Sequence, residues 1–183
     1  PICTADSLRL VGAEALLRYE SPEFGRIRPD SFVPLLERGG LMSDVGMWAF
    51  RQAVSVCKTW VEQLPEFTMN VNVSLYQSLG DGFSQRVFQT LNEIGLPPEH
   101  LVLELTESCF ADEESGVAQT LSTLRAGGIR LAIDDFGTGY SSLGRLQQLP
   151  SDIVKIDRSF ITSIHNNSYN YNFVKAVIAL CHN

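Results

Sequence analysis

Segments with the character of strands alternate with segments with the character of helices, and this alternation restricts the fold more than any other feature of the chain. Strands are predicted over residues 8–19, 67–75, 101–107, 130–135 and 152–160. The connections between them are too long for hairpins, so consecutive strands are expected to lie parallel, with helices on both faces of the sheet. A short apolar stretch at residues 1–4 is placed to pair with the first of these strands.

The connecting segments carry apolar residues at helical spacing. Helices are predicted in a region that starts at Pro29, near 43–63, over 83–94, over 117–124, near 142–148 and over 171–182. Glycines follow two of these series, at Gly95 and at Gly127, where a helix commonly ends.

Two architectures fit such an α/β pattern, an open doubly wound sheet and a (β/α) barrel. The doubly wound sheet would favour a glycine-rich turn after the first strand, and no such turn is present. The barrel is therefore preferred. A complete barrel has eight strand–helix steps, and the pattern here supplies about six.

Polar residues interrupt strands that should be apolar if both of their faces are covered. Asn70 and Asn72 share one side of their strand, and Lys155 and Asp157 share one side of theirs. The residues that we single out, all in the C-terminal halves of their strands, are Glu14, Asn72, Glu104, Asp134, Asp135 and Lys155. In a (β/α) barrel the active site forms at that end of the strands.

These residues predict a site for hard metal ions. An aspartate that caps a helix, or a glutamate paired with a lysine, would explain one position, but five strands share the feature. Converging carboxylates repel each other unless a cation lies among them, and oxygen ligands without histidine or cysteine favour Mg²⁺ or Mn²⁺. Asp135 beside Asp134 allows a second ion. Paired ions are a recurring device for hydrolysing phosphate esters, and Lys155 adds a further cation.

Composition excludes several classes of protein. A formal charge of −7 argues against a broad basic surface for duplex nucleic acid. No apolar run reaches the length of a membrane span, and no signal peptide is visible. The four cysteines form no close pair, so neither a zinc site nor a redox pair is indicated. We therefore expect a cytoplasmic protein with reduced thiols.

The sequence resembles the EAL domains, bacterial phosphodiesterases specific for cyclic di-GMP. Five motifs carry the resemblance, in order and nearly from end to end of the chain. They are "EALLRY" at 14–19, "NVNVS" at 70–74, "LELTES" at 103–108, "DDFGTGYSSL" at 134–143 and "VKIDRSF" at 154–160. The triplet Glu14, Ala15 and Leu16 gives the family its name.

The resemblance implies a TIM-like barrel with an antiparallel first strand, and hydrolysis of cyclic di-GMP to linear pGpG. Metal ligands of the family match Glu14, Asn72, Glu104 and Asp134, with Asp135 at the second ion. Lys155 matches the lysine near the attacking water, so Lys155, Glu14 and Asp134 are the expected catalytic residues. Leu16 and Arg18 match substrate-contacting positions. Glu107 matches the glutamate that anchors the loop at 136–142, a segment that the family links to a homodimer interface.

The family's motifs continue beyond those found here, with a strand that carries a glutamate and a last strand that carries a glutamine. Residues 1–183 are therefore expected to form an EAL domain cut before its last two strands, poorly stable and weakly active alone. Sensor or cyclase modules are expected partners in a full-length bacterial protein, and a membrane anchor elsewhere in that protein is compatible with a cytoplasmic domain. Two alternatives stand beside the enzyme: an inactive receptor for cyclic di-GMP, and a different metal-dependent barrel hydrolase.

Overall fold

A computed structural model describes residues 1–78, 82–106, 109, 116–138 and 150–181. The strands are β1 (Ile2–Cys3), β2 (Leu10–Ala15), β3 (Tyr19–Ser21), β4 (Gly25–Ile27), β5 (Thr68–Asn72), β6 (Leu101–Thr106), β7 (Arg130–Phe136) and β8 (Ile153–Ile156). The helices are α1 (Pro29–Arg38), α2 (Met42–Val61), α3 (Leu75–Ser78), α4 (Phe83–Ile94), α5 (Val117–Ala126), α6 (Arg158–Thr162) and α7 (Ser168–Cys181), with a 3₁₀ turn at Pro98–His100.

Within the described ranges one sheet has the strand order β1-β2-β5-β6-β7-β8, and β3 and β4 form a separate hairpin. Strands β2, β5, β6, β7 and β8 are parallel to their neighbours, whereas β1 pairs antiparallel with β2. The order advances in one direction, as around a barrel, whereas a doubly wound sheet reverses its order. This strand order agrees with the predicted barrel. The predicted antiparallel first strand is β1, Ile2–Cys3.

The two faces of the parallel strands have different chemistry. One face packs under the helices and carries the buried apolar core, for example Val71 on β5, Leu103 and Leu105 on β6 and Ile133 on β7. The alternate residues of the same strands face the other way, and they include Asn70 and Glu104 among the buried polar groups. Because the strands are in parallel register, these polar residues are brought together at one end of the sheet.

Helical periodicity accounts for how the covering helices pack. The buried residues of α2 are Met42, Gly46, Phe50, Ala53, Val54 and Cys57, which form one stripe along the helix. Helix α4 ends as predicted at Gly95, whose φ of +74° is the left-handed conformation that favours glycine. Among the described helices, none is both long and apolar enough to cross a membrane.

Four predicted boundaries were wrong. The strand expected over 67–75 ends at Asn72, and Leu75 already starts α3. The strand expected over 8–19 ends at Ala15, and Tyr19 already belongs to the β3–β4 hairpin. The strand expected over 152–160 is β8 followed by α6, because the Asp157 carboxylate accepts the Ser159 backbone N–H and caps the helix. Helix α7 starts at Ser168, three residues earlier than predicted. The helix expected near 142–148 lies outside the described residues.

The cysteine thiols should differ in reactivity. All four cysteines are free; Cys3 is exposed, whereas Cys57 and Cys109 are buried. Burial raises the pKa of Cys57 to about 11, and burial also raises the pKa of Cys109. We expect iodoacetamide at pH 8 to label these two thiols about tenfold or more slower than Cys3, because the thiolate is the nucleophile. Peptide mass spectrometry checks this, and labelling of Cys57 at the rate of Cys3 would contradict it.

Candidate metal centre

Strand β5 lies at the centre of the site, between β2 and β6. In the register of these strands Glu14 is beside Asn70, and Asn72 is beside Glu104. On the far side of β6, Thr106 is beside Asp134 of β7. Parallel pairing thus places a glutamate, an asparagine, a second glutamate and an aspartate on four successive strands, close to their carboxyl ends.

Three carboxylates from three strands converge. Oxygen atoms of Glu14, Glu104 and Asp134 all lie within 4.8 Å of one another. The Lys155 ammonium of β8 lies among them, with Nζ 2.6 Å from Glu104 Oε2, 3.1 Å from Asp134 Oδ1 and 3.6 Å from Glu14 Oε2. We call these four residues the acidic cluster. Three carboxylates and one ammonium leave two negative charges, which a divalent cation would neutralise.

The environment shifts the pKa of both the buried glutamate and the lysine. The Glu104 side chain is completely buried, and burial raises its pKa while the hydrogen bonds from Lys155 and Asn70 act in the opposite direction. Burial of Lys155 favours its neutral form, but Glu104 and Asp134 outweigh this effect and raise the pKa of the ammonium. Lys155 therefore carries a positive charge at neutral pH.

Asp135 lies beside the acidic cluster and not in it. Its φ of +53° is left-handed, which is uncommon for an aspartate. The β7–β8 pairing shifts register between Ile133 and Phe136, so the regular alternation of side chains is broken there. Partial burial and the charge of Asp134 raise the pKa of Asp135. The irregular backbone thus gives adjacent aspartates different surroundings, and Asp135 is more exposed than Asp134.

Asn72 contacts the acidic cluster from β5. Its Nδ2 donates a hydrogen bond to Glu14 Oε1 at 2.8 Å, and its side chain is exposed to solvent at the end of the strand. The donor is the amide nitrogen, so the amide oxygen stays available to a cation. The structure thus brings together Glu14, Asn72, Glu104, Asp134 and Lys155 as a group.

The positions expected to contact substrate flank this group. Leu16 and Arg18 follow β2, and Leu16 is half-exposed although it is a large apolar residue. The Arg18 guanidinium donates only to the adjacent Leu17 carbonyl, at 2.9 Å, among the contacts described for it. Glu107 and most of the loop at 136–142 lie outside the described residues, so the loop anchor and the dimer contact stay predictions.

The donor set fits a hard divalent cation. The converging atoms are carboxylate oxygens, which Mg²⁺ and Mn²⁺ prefer, and they come from strands with a buried, well-packed opposite face. Two partly exposed carboxylates, Glu14 and Asp134, leave the cluster open on one side for a substrate. The geometry is therefore suited to a catalytic ion more than to a closed structural one.

One polar residue of the site was not among those singled out from the sequence. Asn70 is buried and donates a hydrogen bond from Nδ2 to Glu104 Oε1 at 2.7 Å. Its signal was present in the sequence, because Asn70 and Asn72 have the same strand parity. Asp157, by contrast, shares parity with Lys155 but caps α6, as a polar residue after a strand commonly does.

The sequence of this chain is similar to those of known proteins. The profile of the EAL domain family matches residues 1–183. An uncharacterized protein of Azorhizobium caulinodans is 41% identical over 187 residues, covering 100% of this chain and 25% of its own length. The bifunctional diguanylate cyclase/cyclic di-GMP phosphodiesterase MucR of Pseudomonas aeruginosa is 38% identical over 172 residues, covering 93% of this chain and 25% of MucR. The chain thus spans about a quarter of the length of these relatives.

Solved structures agree with the sequence comparison. The MucR phosphodiesterase in complex with c-di-GMP matches with a TM-score of 0.85 and 38% identity, over 93% of this chain and 69% of that one. The EAL enzyme Bd1971, in its cAMP- and cyclic-di-GMP-bound form, matches with a TM-score of 0.93 and 31% identity, over 100% of this chain and 50% of that one. These matches confirm the TIM-like barrel. The chain belongs to the EAL domain family.

Proposed function

We propose that this domain, within its full-length protein, is a metal-dependent phosphodiesterase that hydrolyses cyclic di-GMP to linear pGpG. The observation that carries the proposal is the convergence of Glu14, Glu104 and Asp134 around Lys155 at the carboxyl end of the parallel strands. The choice of cyclic di-GMP as substrate is supported by the similarity to MucR, a cyclic di-GMP phosphodiesterase whose structure was solved in complex with c-di-GMP.

In this proposal Glu14, Asn72, Glu104 and Asp134 hold one Mg²⁺ or Mn²⁺ ion, and Asp135 contributes to a second. Bound metal supplies Lewis-acid stabilisation of a phosphoryl oxygen and lowers the pKa of water. The protein's own part is to fix the oxygens on neighbouring strands, so that little reorganisation is needed when the substrate arrives.

Lys155 gives the site a permanent positive charge. Its ammonium is held by three carboxylates, and its pKa is raised, so it stays a cation and does not act as a base at neutral pH. A cation at this position can orient a water molecule through hydrogen bonds and stabilise charge that develops on phosphate oxygens. Leu16 and Arg18 provide an exposed apolar surface and a guanidinium for the nucleotide.

The direct test is chromatographic. Full-length protein is incubated with cyclic di-GMP and Mg²⁺ or Mn²⁺, and then with excess chelator. We expect pGpG to accumulate only when metal is available. Binding of cyclic di-GMP without cleavage under either metal would support the receptor alternative instead. If the protein does not bind the dinucleotide, the substrate assignment is wrong.

The relatives suggest a place for the domain in a larger molecule. Because the chain spans about a quarter of each relative, we infer that it acts beside other modules, such as the cyclase of bifunctional MucR. The homodimer expected for the family would be tested on the full-length protein by light scattering, and a monomer at high concentration would count against it.

A further inference from the structure

Asn70 lies deeper in the site than Asn72, the expected metal ligand on the same strand. Only 5% of Asn70 is exposed, whereas Asn72, two residues later, is exposed at the end of β5. The two side chains lie on the same side of the strand, since residues two apart in a strand share a face. Strand β5 therefore presents one amide inside the site and one at its rim.

Each amide holds one carboxylate on a neighbouring strand. Asn70 donates from Nδ2 to Glu104 Oε1 on β6, at 2.7 Å, and Asn72 donates from Nδ2 to Glu14 Oε1 on β2, at 2.8 Å. In both glutamates the other oxygen, Oε2, faces the Lys155 ammonium. Each amide thus donates to a different glutamate, and in both cases the acceptor is Oε1, the oxygen that does not contact the lysine.

A glutamate needs such a hold because its last torsion is soft. Rotation about the bond to the carboxyl group has broad minima, so packing alone does not fix which oxygen points into the cluster. The carboxylate of Glu104 is completely buried, and between them Asn70 and Lys155 donate to both of its oxygens. If a cation were bound at Oε2 in place of Lys155, the hydrogen bond from Asn70 would be the remaining described contact that orients the carboxylate.

We propose that Asn70 is a positioning residue that sets the orientation of Glu104 for metal binding. The inference rests on the proposed metal site. Few side chains could replace Asn70 in this role. An aspartate at position 70 could not donate a hydrogen bond to Glu104 at neutral pH, and it would place a second negative charge beside it. An alanine would leave Oε1 buried without its donor.

The test measures Mn²⁺ affinity by titration calorimetry and by electron paramagnetic resonance of the bound ion, on full-length protein. The main variant is Asn70→Leu, which keeps the branching and the number of side-chain heavy atoms but removes the donor, and Asn70→Ala is a second variant. We expect the Mn²⁺ affinity to fall about tenfold or more, with an altered resonance spectrum, as is common when a residue that orients a metal ligand is replaced.

The matched control is Val71→Ala. Val71 is the next residue on β5, it is equally buried, and its side chain lies in the apolar core on the opposite face. This variant should lower the midpoint of thermal unfolding and leave Mn²⁺ affinity within about twofold of wild type. A loss of affinity that follows unfolding temperature equally in all three variants would overturn the positioning role.

The outcomes separate this inference from the proposed function. If wild type binds Mn²⁺ and both Asn70 variants bind it equally well, the role of Asn70 is wrong and the metal site stands. If wild type binds neither Mn²⁺ nor Mg²⁺, the metal site itself is wrong, and the inference is overturned with it.

Discussion

Replacement of Lys155 with methionine is expected to lower the rate of cyclic di-GMP hydrolysis about a hundredfold or more, as is typical when a group that stabilises transition-state charge is removed. Methionine retains much of the length of lysine, so the change removes a charge without leaving a large cavity. The ammonium that contacts Glu104, Asp134 and Glu14 is lost. Product formation by chromatography at saturating Mn²⁺ measures the effect.

The same variant should bind metal more tightly. In the absence of metal Lys155 is the counter-ion of the three carboxylates in the acidic cluster, and its Nζ contacts the oxygens that a divalent ion would use. Removing this competitor leaves the three carboxylates without an ion-pair partner among the residues that the structure describes. We therefore expect Mn²⁺ affinity to rise while turnover falls, a combination that simple damage to the site would not produce.

Lys155→Met should also lower the free energy of unfolding when no metal is present. Breaking a buried ion pair on one side is costly, and the partial exposure of Lys155 reduces the expected loss to about 2 kcal/mol. Added Mn²⁺ should restore the unfolding midpoint of the variant by more than it raises that of wild type. Lys175→Met, on the exposed face of α7, is the control and should leave all three measurements unchanged. Unchanged turnover in Lys155→Met would contradict the proposed role of Lys155.

The sequence was sufficient to predict which polar side chains converge at the carboxyl ends of the strands, because this convergence depends on regular features. Parallel strands with an apolar core on one face bring the other face of each carboxyl end to one place. Polar residues that interrupt apolar strands near that end, among them Glu14, Glu104, Asp134 and Lys155, were therefore predicted to lie together, but parity alone did not separate Asn72 from Asn70. Helix α4 was predicted to its last residue because Gly95 marks its end. These features repeat along the chain and require no knowledge of distant contacts.

What the sequence did not reveal depends on single contacts. The helix α6 could not be separated from β8 without knowing that the Asp157 carboxylate accepts the Ser159 N–H. The hydrogen bond from Asn70 to Glu104 depends on the register between β5 and β6, which cannot be read from the sequence. The left-handed backbone of Asp135 breaks the alternation from which side-chain direction was inferred. Irregularities of this kind are set by packing against segments that are distant in sequence.

One of these packing constraints lies immediately after the paired aspartates. Gly137 has a φ of +100°, and a Cβ placed on it would lie 2.7 Å from Phe173 Cζ and 2.8 Å from Phe160 Cε2. Both rings belong to a stack in which Phe160 and Phe173 have centroids 4.4 Å apart. The turn that follows β7 therefore has room for a hydrogen atom and not for a methyl group.

Gly137→Ala is accordingly expected to lower the free energy of unfolding by about 3 kcal/mol, the sum of a strained backbone conformation and overpacking. Gly95→Ala separates the two contributions, because Gly95 also has a left-handed φ but no atom lies within 4 Å of its added Cβ. That control should cost about 1 kcal/mol. Urea unfolding measures both, and equal losses in the two variants would show that the aromatic stack yields without cost.

A double-mutant cycle tests the steric part directly. Phe173→Ala destabilises the protein by itself, since the ring stacks on Phe136 and Phe160, but it also frees the space that the added Cβ needs. The free energy of unfolding lost in the double variant should therefore be smaller than the sum of the losses in the two single variants, by about 1 kcal/mol or more. Because Gly137 is joined to Asp135 through Phe136, we also expect Gly137→Ala to weaken Mn²⁺ binding, and Phe173→Ala to recover part of it. Additive losses in stability would mean that the stack does not fix the end of β7.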